Sequence, residues 1–239
     1  MNTIKFNKQN VLVVAHRGLS GIEKENTNSA FVAAGNRSYY GIETDIHKTL
    51  DGHYIIIHDD NTARVAVDRL EVESSTFDTL RSLILADKDG SKLRTDLRLP
   101  TLEEYIGINK KYEKVAVLEL KNAFTEAEIL EICANIEAMG YLDHTVFISF
   151  CYDNLVYVRR KYPDANCQFL TSKYEDSLIE RLKEWNLDLD IRENALTAEI
   201  VAELHANGIV VNCWTVDNPE RAEELVGYGV DMITTNILE

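Results

Sequence analysis

A chain of 239 residues, 45% of them hydrophobic, is long enough for one large barrel or two small domains and too apolar to be disordered. Its 40 acidic residues against 25 basic ones leave a formal charge of −15. Such a surface repels the phosphate backbone of nucleic acid and the anionic face of a membrane, so neither is an expected partner. A small phosphorylated ligand would need a local remedy: a bound cation or a few well-placed Lys and Arg. The first ten residues are polar and lack the apolar core of a signal peptide. No apolar run approaches the length of a membrane span. Cys133, Cys151, Cys167 and Cys213 show neither CxxC spacing nor a disulfide framework. Cys151, Cys167 and Cys213 lie in or beside apolar runs and are expected as small buried hydrophobes, in a soluble, cytoplasmic protein.

Short β-branched runs alternate with amphipathic stretches along the chain. The pattern predicts a strand at 11–15, a helix at 28–37 and a strand at 41–46. Asp51-Gly52 is a hairpin-like turn signal, followed by the apolar run 54–57. From 59 to 99 the chain is charged and irregular, and reads as an insertion over a barrel mouth, since long loops in compact domains tend to carry function. Helices follow at 102–111, 126–139, 153–161, 175–185, 198–207 and 219–228. Strands fall between and after them, at 115–120, 146–150, 166–170, 187–191, 209–214 and 232–234. Thr197 and Asn218-Pro219 are helix-start signals, and Gly140 and Gly208 are stops. Eight strands alternating with helices predict a single (β/α)₈ TIM-type barrel domain, with the active site at the C-terminal strand ends. An open doubly wound sheet is the alternative, because counting strands does not show closure.

The polar residues worth attention lie at those strand ends. The first strand finishes in His16-Arg17-Gly18, the second carries Glu43-Thr44-Asp45, and the third ends in Glu119-Leu120-Lys121. Strand side chains alternate, so Glu43 shares a face with Asp45, Glu119 with Lys121, and Asn212 with Trp214. In a barrel that face can point into the mouth, bringing three carboxylates together beside a lysine. Isolated acids often end strands in solvent. A convergent set is costly unless protons or a cation neutralise it, and oxygen-only ligands suit one divalent cation, Mg²⁺ or Ca²⁺. His16 and His58 are the next functional candidates; His16 gains weight from Arg17 and the Gly18 hinge. A lone histidine is more often structural, and His47, His53, His144 and His205 are read as surface or packing residues. Trp214 can be a platform for a ligand or rim packing.

Taken in order, these residues resemble the glycerophosphodiester phosphodiesterase family. The resemblance runs through His16-Arg17-Gly18, Glu25-Asn26-Thr27 with Ala30-Phe31, Gly41-Ile42-Glu43-Thr44-Asp45 and Thr49-Leu50-Asp51-Gly52. It continues through Ile57-His58-Asp59, Pro100-Thr101-Leu102-Glu103-Glu104, Glu119-Leu120-Lys121, Ser149-Phe150, Trp214-Thr215-Val216 and Gly229-Val230-Asp231. It implies a TIM-type barrel with a small insertion after the second strand. It implies a divalent cation on Glu43, Asp45 and Glu119, acid–base catalysis by His16 and His58, and phosphate held by Arg17 and Lys121. The substrate implied is a small glycerophosphodiester, giving glycerol 3-phosphate and an alcohol, with the glycerol's own hydroxyl attacking first to form a cyclic phosphate. Lysophospholipase D chemistry would use the same residues but need an open apolar channel. A noncatalytic phosphate-binding barrel would tolerate loss of a histidine or a ligand, and an enolising barrel would dispense with the second acid. Two positions depart from the family pattern: Lys24, where a proline is usual, and Thr235, where an Asp is usual. Oligomeric state is not legible in the sequence.

Overall fold

The computed structural model describes residues 2–239. Its strands are β1 (Leu12–Ala15), β2 (Gly41–Lys48), β3 (Tyr54–Ile56), β4 (Val115–Leu120), β5 (Thr145–Ser149), β6 (Asn166–Thr171), β7 (Asp188–Arg192), β8 (Val211–Trp214) and β9 (Met232–Thr235). The helices are α1 (Asn28–Gly35), α2 (Phe77–Ser82), α3 (Leu102–Tyr112), α4 (Glu126–Ala138), α5 (Tyr152–Lys161), α6 (Leu178–Glu184), α7 (Ala198–Ala206) and α8 (Pro219–Tyr228).

Every neighbouring pair in the series β1-β9-β8-β7-β6-β5-β4-β2 is parallel, and β1 pairs with β2 to close the ring, Val14 opposite Gly41 and Ala15 opposite Ile42. That last pairing turns a sheet into an eight-stranded barrel and decides against the open alternative. All eight expected strands take part. The ninth, β3, lies outside the ring as the antiparallel partner of β2, with Ile46 opposite Ile56 and Lys48 opposite Tyr54. The Asp51-Gly52 turn makes this hairpin, and it carries β2 past its expected end at 46 to Lys48.

Local chemistry sets the helix starts. Thr27, Thr125, Thr197 and Asn218 each accept a hydrogen bond from the backbone N–H three residues on, and Pro219 fills the first helical position. Thr101 and Glu104 form a reciprocal capping box. The main core lies between the strands' outer faces and the helices, as with Ala116 and Leu118 on β4 against Tyr105 and Ile106 on α3. Alternation sends Val14, Val117, Val146, Ile148 and Leu170 into the barrel interior, where they pack as a plug. Residues 57–101 are more ordered than their composition suggests. They hold α2 and a small separate core of Val65, Val72, Leu80, Leu85, Leu97 and Leu99 against Ile55 and Ile57.

Candidate active site at the barrel mouth

Above the apolar plug, at the C-terminal strand ends, a cleft opens between two walls. His16, Arg17, Glu43, His58 and Glu119 line one; Phe150, Leu170, Asp190 and Trp214 line the other.

Glu43, Asp45 and Glu119 are all buried, and each offers an oxygen within 4.8 Å of the others. Register explains the convergence, since Asp45 on β2 sits directly opposite Glu119 on β4, with Glu43 two residues below on the same face. The surroundings treat the three differently. Burial and the charge of Asp45 push Glu43 far above the usual carboxylate range, and push Glu119 up to about 8. Asp45 is held below that range: burial opposes its charge, but Lys121 and Arg17 overcome it. Lys121 Nζ stands 2.9 Å from Glu119 Oε1 and 3.6 Å from Asp45 Oδ1. Both oxygens are nonetheless buried without a well-directed hydrogen bond. An all-oxygen donor set with unsatisfied lone pairs and excess negative charge fits a hard divalent cation.

Two backbone oddities hold this corner in place. Arg17 has φ 54°, outside the usual region for a side-chain-bearing residue, and its N–H donates to Glu43 Oε2 at 2.7 Å. Gly18 follows at φ 74°, where a Cβ would stand 2.7 Å from Ala30 backbone and side chain. The Arg17 guanidinium donates to Glu25 Oε1 at 2.9 Å, and its Nε lies 3.7 Å from Asp45. Asn26 is buried; its amide donates to Asp45 Oδ2 at 2.8 Å and accepts from Thr44 at 2.7 Å, which fixes the carboxylate's orientation.

The two histidines have different partners. His16 Nδ1 meets Asn236 Oδ1 at 2.8 Å. The Asn236 amide nitrogen is committed to Asp217 Oδ2 at 2.6 Å, so its oxygen faces the ring and His16 donates from Nδ1. Nε2 is thereby left as an acceptor on the cleft side, 4.0 Å from Glu43 Oε2. Burial, reinforced by the charge of Arg17, lowers the His16 pKa to about 4, so the ring is neutral. His58 Nδ1 instead meets a carboxylate, Asp59 Oδ1, at 2.6 Å. Hydrogen bonds from Arg64 hold Asp59 at about 2, well ionised. Arg64 also pairs with Glu25, so a chain of ion pairs joins His58 to Arg17 through Asp59, Arg64 and Glu25.

Every expected site residue therefore lies in or beside one cleft. Trp214 lines it, edge-on to Phe150 at 5.7 Å between ring centroids, with its indole Nε1 buried and unpartnered. Sequence reasoning missed Asn236 and Asp59 as histidine partners, Asn26 as the support of Asp45, and Asp190 in the far wall. Asp59 and Asn26 stand inside the motifs quoted for the family resemblance; Asn236 and Asp190 carry no local signal. Thr235, where the family pattern has an Asp, stands beside His16. Its carbonyl accepts from the His16 N–H at 2.8 Å, and its hydroxyl donates to the same Asp217 that orients Asn236. The remaining histidines behave as expected: His47 is buried against the backbone of His58, and His205 is an exposed partner of Asp231. All four cysteines are free; Cys133, Cys167 and Cys213 are buried, and Cys151, expected buried, is half-buried at the start of α5.

A closed parallel barrel whose mouth gathers three carboxylates, two histidines, Arg17 and Lys121 defines a TIM-type fold with a polar site at the catalytic end. The family model described as the glycerophosphoryl diester phosphodiesterase family matches residues 16–239, and the chain belongs to that family. It is 37% identical to a probable glycerophosphodiester phosphodiesterase 1 of Mycobacterium tuberculosis, over 94% of this chain and 88% of that one. A glycerophosphodiester phosphodiesterase of Caldanaerobacter subterraneus subsp. tengcongensis is 29% identical, over 94% and 93%. A solved Oleispira antarctica phosphodiesterase in complex with the product sn-glycerol-3-phosphate superposes with a TM-score of 0.84 at 25% identity, over 98% of this chain and 96% of that one. No helix among the described residues is long and apolar enough to cross a membrane.

Proposed function

We propose that this phosphodiesterase hydrolyses glycerophosphodiesters to glycerol 3-phosphate and an alcohol, using a divalent cation on Glu43, Asp45 and Glu119 and the two histidines as base and acid. The observation that carries this is the pair of oriented imidazoles, each anchored through Nδ1 and each lining the one cleft that also holds the carboxylates. A bound Mg²⁺ or Ca²⁺ would supply positive charge against a phosphoryl oxygen. Everything else falls to the chain's own side chains. Arg17 and Lys121 hold the phosphate and offset charge that builds on it, the local remedy that an acidic protein needs.

His16 is neutral with Nε2 free, and takes the proton of the attacking hydroxyl. His58, backed by an ionised carboxylate, gives a proton to the leaving alcohol. The attacking hydroxyl is the glycerol's own, adjacent to the phosphoryl ester, so a cyclic phosphate forms. The same pair then exchanges roles as water opens it. The charged 59–99 segment beside the mouth favours water-soluble diesters over lysophospholipids. A cytoplasmic setting agrees with the unpaired cysteines. The test is direct: incubate the metal-loaded protein with several glycerophosphodiesters and measure glycerol 3-phosphate enzymatically. Release of the alcohol phosphate in its place, or no cleavage with either cation, refutes the assignment.

A further inference from the structure

Nine buried side-chain atoms in the described chain lack a hydrogen-bond partner, and five of them surround the mouth. Arg17 Nε, Asp45 Oδ1 and Glu119 Oε1 belong to the wall that receives phosphate and cation. The other two, Asp190 Oδ1 and Trp214 Nε1, belong to the wall opposite, and the reaction described above gives neither of them a partner.

An orphaned buried carboxyl is costly, by about 1–3 kcal/mol or more where charge is involved, and natural proteins keep few of them. Asp190 is 1% exposed, in the middle of β7, and no cation neutralises it. Its neighbours in register do not help. Leu170 on one side is apolar, and Asn212 on the other is spent on Gln168 and Thr234. Trp214 stands one step further up the same face of β8, diagonal to Asp190. The wall thus offers the ligand one hydrogen-bond acceptor and one N–H donor within an apolar setting of Ile148, Leu170 and Phe150. A hydroxyl is the simplest group that satisfies both, since it donates and accepts through one atom.

We infer that Asp190, with the indole N–H of Trp214, docks the free terminal hydroxyl of the substrate's glycerol arm and makes the enzyme selective for it. This rests on the phosphodiesterase reading and adds to it a residue that reads the glycerol. With the adjacent hydroxyl spent on attack, the terminal one is the only polar group left on that arm. Burial pushes the Asp190 carboxyl far above its usual range, so it adds no second negative charge beside the phosphate. The contact does not depend on that proton, because a carboxylate accepts from a hydroxyl and a carboxylic acid also donates to it. A site built around a hydroxyl rejects the analogue lacking it, since the site's own polar atoms are then left unpaired.

The experiment compares two diesters with the same leaving alcohol, one with a glycerol arm and one with 1,2-propanediol in its place, which keeps the attacking hydroxyl and lacks the terminal one. Wild-type kcat/KM should favour glycerol by about 10- to 100-fold. Asp190→Leu should lose most of its rate on the glycerol arm alone, bringing the two within about 3-fold, while Asp190→Asn, which still donates and accepts, keeps most of the preference. Removing an unsatisfied polar group should leave Asp190→Leu at least as thermally stable as the wild type. A wild-type-only arm measures binding of glycerol 3-phosphate against 1,2-propanediol phosphate by calorimetry. Equal affinities there overturn the proposal whatever the variants do. Equal loss on both diesters in Asp190→Leu, or an undiminished preference, overturns it too. Failure of the underlying reading looks different: the wild type would cleave neither glycerol-bearing nor propanediol-bearing diester.

Discussion

Glu239, 9% exposed, and the mouth glutamates Glu43 and Glu119, 3% and 7% exposed, carry the same chemical group, and the protein treats them in opposite ways. Glu239 sits away from the mouth, beside the turn leading from α1 into β2. It accepts from Thr3 Oγ1 at 2.7 Å and from Ser38 N and Oγ at 2.9 and 2.8 Å, and it pairs with Lys5 at 3.1 Å. Burial opposes its charge, but those donors bring its pKa down to about 2. Glu43 has the Arg17 N–H and Glu119 has Lys121, fewer donors than Glu239, and burial with Asp45 beside them drives both upward. A carboxylate that ties down structure is finished by the fold itself. Those at the mouth are left less finished, as a site for a cation and a substrate requires.

That contrast breaks most visibly on metal removal. Activity should vanish in excess chelator and return with Mg²⁺ or Ca²⁺. Full activity with no metal detected by elemental analysis would sink the cation site. In the same experiment Glu43→Gln should abolish turnover while leaving the metal-free protein at least as stable, because glutamine is neutral without a bound proton where burial and Asp45 oppose the glutamate's charge. Glu239→Gln should do the reverse, lowering stability and sparing activity.

The histidines give the next largest effect. His16→Ala or His58→Ala should each cost about 10²–10⁴ in kcat with metal affinity nearly intact, and the double variant should be little worse than the poorer single. The pH profile of kcat/KM should be bell-shaped, with His16→Ala losing the acid limb and His58→Ala the alkaline one. An aryl diester, whose leaving group needs no proton, should rescue His58→Ala and not His16→Ala. Equal loss on every leaving group would show that this division of labour is wrong. Lys121→Met should lower kcat/KM by about 10- to 100-fold through both KM and kcat, since its charge serves bound substrate and transition state alike. No change would mean that Lys121 only balances Asp45 and Glu119.

The smallest effect lies at Glu239, where the sign follows from linkage. Its pKa is depressed from 4.5 to about 2 in the fold. Its contribution is therefore complete above about 4.5 and is lost as pH falls through 2. Denaturant melts at pH 7, 4 and 2.5 should converge for wild type and Glu239→Gln as the pH drops; a constant gap would show that the loss is one of packing.

Much of this was legible beforehand because barrel strands are periodic and local. Alternation on β2 and β4 pairs Glu43 with Asp45 and Glu119 with Lys121 within a three-residue window, and Thr197, Asn218, Gly140 and Gly208 mark helix ends. The eight barrel strands lie where β-branched runs placed them. The 59–99 stretch misled because its apolar residues are widely spaced. Val65, Val72, Leu80 and Leu97 meet only once the chain has folded back on β3, so no short window reveals their core.

The sequence by itself determined the strand rhythm, the polar strand ends and the family, since each depends on neighbours two to four residues apart or on ordered motifs. Only the tertiary structure decided closure of the ring, which needs Val14 to meet Gly41 across the first turn of the barrel. It alone decided the tautomer of His16, set by Asn236 from 220 residues away, and the exposure of Asp190 to the cleft. The physical reason is common to all three. A hydrogen bond or an orphaned oxygen is a property of directions in space, and those directions exist only after distant strands have been brought side by side.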